Sequence, residues 1–131
     1  PFCSEMRSIL AKESSSLGLK FHGSGTYVCI EGPRFSTRAE SQMFRSWNAD
    51  VIGMTLFPEC VLAREAEICY STIATSTDYD VWADKPVSTD AIMANLSKNI
   101  EKTKLLLRSV IPVIPIERKC NCKDALKGAF T

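Results

Sequence analysis

Asp78 and Asp80, two carboxylates two positions apart, are the side chains of this chain best suited to bind a polar ligand. They follow residues 68–74, whose composition predicts a buried strand. In an extended segment residues i and i+2 point to the same side, so both carboxylates can face one ligand. Burial and mutual repulsion should keep at least one protonated, so that one group donates while the other accepts. This pattern suits a ring with an acceptor nitrogen beside an amino group; the alternatives are a solvated turn or a cation site, although two Asp are few for Mg²⁺ or Ca²⁺.

Polar or aromatic groups also follow the other two predicted strands. Residues 26–30 lead into a Gly-Pro bend and then Phe35, which can stack on a planar ring or lie buried under the turn. Residues 50–54 lead to Thr55, just before a helix that should start near Pro58. The amino end of a helix favours an anion such as phosphate, and a plain helix cap is the alternative. His22 is the only histidine and is interpreted as a loop residue.

Helices are predicted to connect and extend these strands. Helical spacing after Ser4, a candidate N-cap, predicts a first helix that Gly18 ends. Thr37 and Glu40 have capping-box spacing, which predicts a helix over residues 37–47. A long final helix should end at Pro112. Strands that alternate with helices predict an α/β fold with strands buried on both faces. The apolar side chains expected to face the core are Ala39, Met43, Phe44 and Trp47 in the second helix, and Ile92, Leu96, Ile100, Leu107 and Ile111 in the last.

Size and charge narrow the classes of function. The chain has 131 residues, 45% of them hydrophobic, which is enough for one ordinary domain. Its net charge of +1 gives no general attraction for nucleic acid or an anionic membrane. No apolar run approaches the roughly 20 residues that span a bilayer. Because the chain starts at Pro1, we expect a piece of a longer protein.

The six cysteines predict free thiols in a reducing compartment, the cytoplasm, with the nucleus as a further possibility. Cys120 and Cys122 form a C-x-C pair, which can close a strained disulfide or supply two metal ligands. Since the sequence shows no second Cys/His pair, no metal is predicted. Residues 1–115 are interpreted as part of a domain, and residues 116–131 as a mildly basic, solvated C-terminal tail.

Taken together, three motifs resemble the trimeric purine-nucleoside phosphorylase family in order and spacing. They are residues 31–40, residues 50–55 with Pro58-Glu59, and Thr77-Asp78-Tyr79-Asp80 with Trp82. The resemblance covers residues 1–112, and the Asp-Tyr-Asp form is similar to the branch that acts on methylthioadenosine. It implies a three-layer α/β fold with a central mixed sheet, of which this chain is the C-terminal part.

The resemblance also implies a role for each site residue. Phe35 would stack on the base, Ser36 would lie near its edge, and Tyr79 would line the substrate site. Met54 would pack on the ribose and Thr55 would contact phosphate. Asp78 would hydrogen-bond or protonate N7 while Asp80 accepts from the 6-amino group, and Thr89 and Ile92 would shape the pocket for the 5' substituent.

The implied reaction is phosphorolysis of 5'-methylthioadenosine to adenine and 5-methylthioribose-1-phosphate, with inorganic phosphate as co-substrate and no cofactor or metal. The implied assembly is a homotrimer that binds neither nucleic acid nor membrane. The sequence departs from the family at Leu56-Phe57, which is bulkier, in a loop over residues 81–87 that is about two residues shorter, and at Thr89, where an apolar residue is usual. The polar Thr89 should relax the 5' preference.

The family's Gly-rich phosphate loop and its Arg-His pair belong to an N-terminal half that we expect outside this chain, so the 131 residues alone should be inactive and poorly stable. The alternatives are a phosphorylase of 6-oxopurine nucleosides or adenosine, and a non-catalytic fragment that binds purines or partner subunits.

Overall fold

A computed structural model describes residues 1–79 and 89–129. It contains four α-helices, α1 (Ser4–Ser16), α2 (Arg38–Ser46), α3 (Glu59–Glu65) and α4 (Thr89–Val110), and two strands, β1 (Tyr27–Cys29) and β2 (Val51–Gly53). Two 3₁₀ turns follow α4, Ile111–Val113 and Asn121–Asp124. Within the described ranges no helix is long and apolar enough to cross a bilayer.

The two strands pair in parallel and bring two of the candidate loops to one edge. Tyr27 lies opposite Val51 and Cys29 opposite Gly53. The Ile30 N–H then donates to the Gly53 carbonyl at 2.9 Å, which extends the pairing beyond β1. Since the carboxyl ends of parallel strands share one edge, the loops that follow Cys29 and Gly53 leave the sheet side by side.

The prediction of a third strand over residues 68–74 is wrong for the described chain. These residues form neither helix nor strand, and the only sheet described is β1 with β2. A β-rich composition produces a strand only where a neighbouring strand supplies ladder hydrogen bonds. Among the residues described here, the segment 68–74 has no such ladder.

The chain divides into two compact units with different interiors. One comprises residues 1–23, 56–73 and 105–131, and the other comprises residues 24–55 and 74–104. All the buried apolar side chains of the described residues belong to the first: Cys3, Leu56, Cys60, Leu106, Val110 and Cys122.

In the second unit the strands are half-buried or exposed, so the prediction of strands buried on both faces is wrong here. The expected core face of α2 is also largely open, with Trp47 60% exposed. Apolar surface of this kind is typical of a face that other protein covers.

Local signals set the ends of the helices. Gly18 ends α1 in the left-handed region, at φ +65°, which glycine adopts without strain. The N-cap of α1 is Cys3, not Ser4 as predicted, and the Cys3 Sγ accepts from the Met6 N–H at 3.5 Å. Pro112 lies in the 3₁₀ turn directly after α4, which confirms that α4 ends before it.

The segment after Pro115 is mostly exposed, as expected of a tail, but hydrogen bonds attach it to its compact unit. The Arg118 guanidinium donates to the Glu67 carbonyl at 2.8 Å, and the Leu126 N–H donates to the Glu67 carboxylate at 3.2 Å. Cys122 is buried within the same segment. Polar composition pointed to solvent, but these hydrogen bonds and one buried thiol attach the segment to its compact unit.

Candidate functional site

The loop over residues 31–36 is held by the start of α2. The predicted capping box is confirmed: Thr37 Oγ1 accepts from the Glu40 N–H at 3.2 Å and the Glu40 carboxylate accepts from the Thr37 N–H at 2.7 Å. Arg34 donates two hydrogen bonds to the same carboxylate, at 2.9 and 2.7 Å. The Arg34 guanidinium, followed by the Thr37 backbone and hydroxyl, lowers the pKa of Glu40 from 4.5 to about 2. Glu40 thus joins the loop to the helix.

The hydrogen-bonded residues Arg34 and Thr37 lie on either side of Phe35 and Ser36, which are both predicted to contact a ligand. Phe35 is 73% exposed, so the alternative of a ring buried under the turn is wrong. Ser36, the next residue, is buried. An exposed aromatic face in a fixed loop is available for stacking, because a rigid loop spends little conformational entropy when a ligand docks.

We expect Glu40→Gln to make the protein less stable at pH 7. This difference in stability from the wild-type protein should disappear in acid. Gln can keep the capping hydrogen bond but loses the charged pair with Arg34. Because the folded pKa of Glu40 is lowered to about 2 from 4.5, its contribution is complete above about pH 4.5 and disappears as the pH falls through 2. Thermal unfolding of both proteins from pH 7 to pH 2 measures this.

The control is Glu101→Gln, which breaks the exposed pair of Glu101 with Lys104 in α4. Exposed pairs within a helix contribute little, so a smaller effect is expected there. A wild-type and Glu40→Gln difference that stays constant down to pH 2 would contradict the prediction.

Met54 joins the second loop to the first. A Cβ placed on Gly32 would lie 2.8 Å from the Met54 Sδ, so the thioether lies directly against the glycine of the Gly-Pro bend. Gly53 is still closer to Tyr27, because a Cβ there would collide with the Tyr27 hydroxyl and lie 2.7 Å from the Tyr27 Cζ. The two glycines let the loops approach, and Met54 lies half-buried beside the bend that precedes Phe35.

Thr55 is exposed and its predicted contact with phosphate stays a prediction. The helix expected to strengthen that site, α3, has seven residues and carries Glu59 in its first turn. The Glu59 carboxylate accepts from the Tyr70 hydroxyl at 2.6 Å. A carboxylate at this position offsets the positive end of the helix, so α3 contributes little attraction for an anion.

The third loop lies against α4. Residues 76–79 and four residues of α4 line a cleft of about 290 Å³. Asn95 Nδ2 donates to the Thr77 carbonyl at 2.7 Å, and Asn99 Nδ2 donates to the Ser76 carbonyl at 2.8 Å. Two amides one helical turn apart therefore fix the backbone just before Asp78. The cleft residues are Ser76, Thr77, Asp78, Tyr79, Asn95, Lys98, Asn99 and Lys102.

The sequence analysis missed Asn95 and Asn99, although their i, i+4 spacing on a predicted helix was a usable signal. The sequence analysis expected Asp78 to be buried, but the side chain is exposed. Its Oδ1 accepts from the Thr77 hydroxyl at 2.5 Å. Tyr79 is 74% exposed beside it.

Not every predicted site residue falls in this cleft. Phe35, Ser36, Met54 and Thr55 do not line it. Ile92 is half-buried in α4. Asp80 and the side chain of Thr89 lie outside the described residues. The structure thus brings together the first two loops through Gly32 and Met54, and holds the third through α4.

For any reaction that depends on Asp78, we expect the double variant Asn95→Ala/Asn99→Ala to lower kcat/KM by about 10- to 100-fold, since small misplacements of reacting groups cost that much. Because the two amides hold the backbone just before Asp78, we expect kcat to fall more than the melting temperature changes. Steady-state kinetics and unfolding measured on the same preparations separate the two effects. Ser97→Ala, which removes only a bond to Met93 within α4, is the control; an equal loss there would refute the positioning role.

A separate group of four cysteines meets in the other compact unit. The Sγ atoms of Cys3, Cys69, Cys120 and Cys122 all lie within 4.8 Å of one another, and all four are free thiols. Burial raises the pKa of Cys122 to about 12 and also raises the pKa of Cys69. The Cys122 backbone N–H lowers the pKa of Cys120. The sequence shows no second Cys/His pair beside Cys120 and Cys122, but folding brings Cys3 and Cys69 next to them.

Comparison with known proteins assigns the chain to a family. Residues 1–112 match the phosphorylase superfamily. The chain belongs to the phosphorylase superfamily. It is 58% identical over 130 residues to an S-methyl-5'-thioadenosine phosphorylase of Pyrococcus abyssi, covering 99% of this chain and 50% of that protein. It is 55% identical over 129 residues to the enzyme of the same name from Nitrosopumilus maritimus, covering 98% and 49%.

Solved phosphorylase structures share its fold. A methylthioadenosine phosphorylase from an antarctic soil metagenomic library has a TM-score of 0.89 at 41% identity, covering 98% of this chain and 47% of its own. A Schistosoma mansoni methylthioadenosine phosphorylase in complex with adenine has a TM-score of 0.84 at 31% identity, covering 98% and 51%. The predicted α/β phosphorylase fold is confirmed. The chain spans about half the length of the curated relatives it matches.

Proposed function

We propose that the protein containing this chain converts 5'-methylthioadenosine and phosphate to adenine and 5-methylthioribose-1-phosphate. The observation that carries this proposal is the high identity to S-methyl-5'-thioadenosine phosphorylases over nearly the whole chain. The Asp78-Tyr79-Asp80 motif supports it, because an acceptor beside a proton donor matches a 6-aminopurine edge. Inorganic phosphate is the co-substrate, and no cofactor is required.

In the proposed mechanism the base is held by stacking and by its edge. Phe35 offers its exposed ring to the purine. Ser36 contacts the edge of the base, and Tyr79 lines the substrate site. Asp80 accepts a hydrogen bond from the 6-amino group. Met54, fixed against Gly32, packs on the ribose. Thr89 and Ile92, one turn apart at the start of α4, border the 5' substituent.

The chemical step breaks the bond between N9 of the purine and C1' of the sugar. Asp78 hydrogen-bonds or protonates N7, so that the leaving base does not carry a full negative charge. The sugar becomes oxocarbenium-like, and the phosphate dianion stabilises this positive charge before an oxygen of phosphate bonds to C1'. Thr55 contributes one contact to that phosphate. Asp78 is exposed in an open cleft. Solvent must therefore be excluded from this cleft before Asp78 can act as the donor to N7.

The assembly is proposed to be a homotrimer. The open apolar side chains in the second compact unit, including Trp47, support a partner-covered surface. We further propose a cytoplasmic location, which suits the free thiols of Cys3, Cys69, Cys120 and Cys122.

Adenine release by the purified protein tests the proposal. We expect adenine release from methylthioadenosine only when phosphate is present, and slower release of hypoxanthine from inosine. The 131-residue chain alone should release none. Release without phosphate would indicate a hydrolase instead, and no release by the intact protein would leave the alternative of a non-catalytic purine-binding fragment, which the half-length match favours.

A further inference from the structure

The four cysteines come from three separate parts of the chain that hydrogen bonds hold together without help from sulfur. The Cys3 N–H donates to the Tyr70 carbonyl at 2.7 Å, which places Cys3 beside the segment that carries Cys69. The Lys119 N–H donates to the Glu5 carboxylate at 3.2 Å, which fixes the segment that carries the C-x-C pair. The sulfur positions are therefore set by the backbone of the folded unit.

The sulfur separations suit a tetrahedral metal site better than disulfide bonds. Four thiolates around Zn²⁺, each about 2.3 Å from it, lie about 3.8 Å from one another. Here the Cys69 and Cys120 Sγ atoms are 3.4 Å apart, and all four lie within 4.8 Å of each other. A disulfide requires about 2.05 Å. Small side-chain adjustments complete a tetrahedron, whereas a disulfide between Cys69 and Cys120 requires the two sulfurs to approach by more than 1 Å.

The surroundings of the sulfurs resemble those of structural metal ligands. Cys3 is 1% exposed and Cys122 is 8% exposed, so water has little access to either. The Cys3 Sγ accepts from the Met6 N–H at the start of α1, where the helix favours negative charge. Arg118 and Lys119 precede Cys120 directly and carry positive charge close to the group. N–H donors and cations of this kind support thiolates bound to a metal.

We propose that Cys3, Cys69, Cys120 and Cys122 bind one Zn²⁺ as a structural site. Zinc binding releases the thiol protons to solvent and leaves a tetrathiolate centre of net charge −2, which Arg118 and Lys119 partly balance. With four protein ligands no coordination position remains for substrate, so the site has no part in catalysis. It ties the start of α1, the Cys69 segment and the C-terminal segment into one unit, independently of the proposed phosphorolysis.

Metal analysis of the protein, purified without added chelator under reducing conditions, tests the site. We expect about one zinc per chain by mass spectrometry of the metal, and a thiolate-to-metal absorption band after replacement by Co²⁺. The variant Cys120→Ser/Cys122→Ser should bind about tenfold less zinc per chain than the wild-type protein. Cys60→Ala is the matched control, since Cys60 is 7% exposed and lies outside the group, and it should keep its zinc.

The zinc content of the wild-type protein tests the proposal even if the double variant does not fold. Four titratable thiols with no bound metal, after zinc has been supplied, would overturn it. An intact mass lower by two hydrogens for each bonded pair would also overturn it, because the cysteines would then form disulfides. Removal of zinc by a strong chelator should lower the melting temperature, and an unchanged value would contradict a structural role.

Discussion

Replacing Asp78 is expected to cause the largest loss of activity, a fall in kcat/KM for methylthioadenosine of about 10²- to 10⁴-fold for Asp78→Ala. In the proposed mechanism the variant removes the donor to N7, so the departing purine would carry more negative charge. Asp78→Asn separates two roles, because an amide can still donate a hydrogen bond but cannot transfer a proton. If Asp78 protonates N7, both variants should lose similar activity; if it only hydrogen-bonds, Asp78→Asn should retain more.

Asp124→Asn is the control for this experiment, since Asp124 is also exposed and belongs to the other compact unit. Steady-state phosphorolysis of methylthioadenosine by the three variants supplies the comparison. A loss below about threefold for Asp78→Ala would exclude the residue from the chemical step.

Changing Asp80 to Asn is expected to reverse base preference. The carboxylate only accepts and so matches a 6-amino group, whereas an amide can donate to the oxygen of a 6-oxopurine. Sites that hydrogen-bond a substrate group discriminate strongly against its absence, so the ratio of kcat/KM for adenosine to that for inosine should fall by on the order of 10²-fold or more. Parallel phosphorolysis assays with the two nucleosides measure this ratio.

The same Asp124→Asn protein should keep the wild-type ratio. An unchanged ratio in Asp80→Asn would refute Asp80 as the reader of the 6-amino group and favour the alternative of a 6-oxopurine phosphorylase. A loss of all activity with both nucleosides would instead assign Asp80 a role in shaping the loop, and the base reader would have to be sought elsewhere.

Sequence alone determined the features that depend on neighbouring residues. The capping box of Thr37 and Glu40 and the end of α1 at Gly18 were predicted because they need contacts only three or four residues apart. The family was also visible, since its motifs have a fixed order along the chain and residues 1–112 match it. The two short strands could also be placed before their pairing was known, because strand composition is a local property of the sequence.

Tertiary structure decided what depends on residues far apart in the chain. Residues 68–74 have a strand's composition, but a strand exists only where a neighbour completes the ladder. The exposure of Phe35 and Asp78, and the anchoring of the third loop by Asn95 and Asn99, depend on what folding places beside them. Cys69 and Cys120 are 51 positions apart, yet their sulfurs lie 3.4 Å from each other. Sequence spacing gives no measure of such a distance, because the path of the chain between two residues is set by packing.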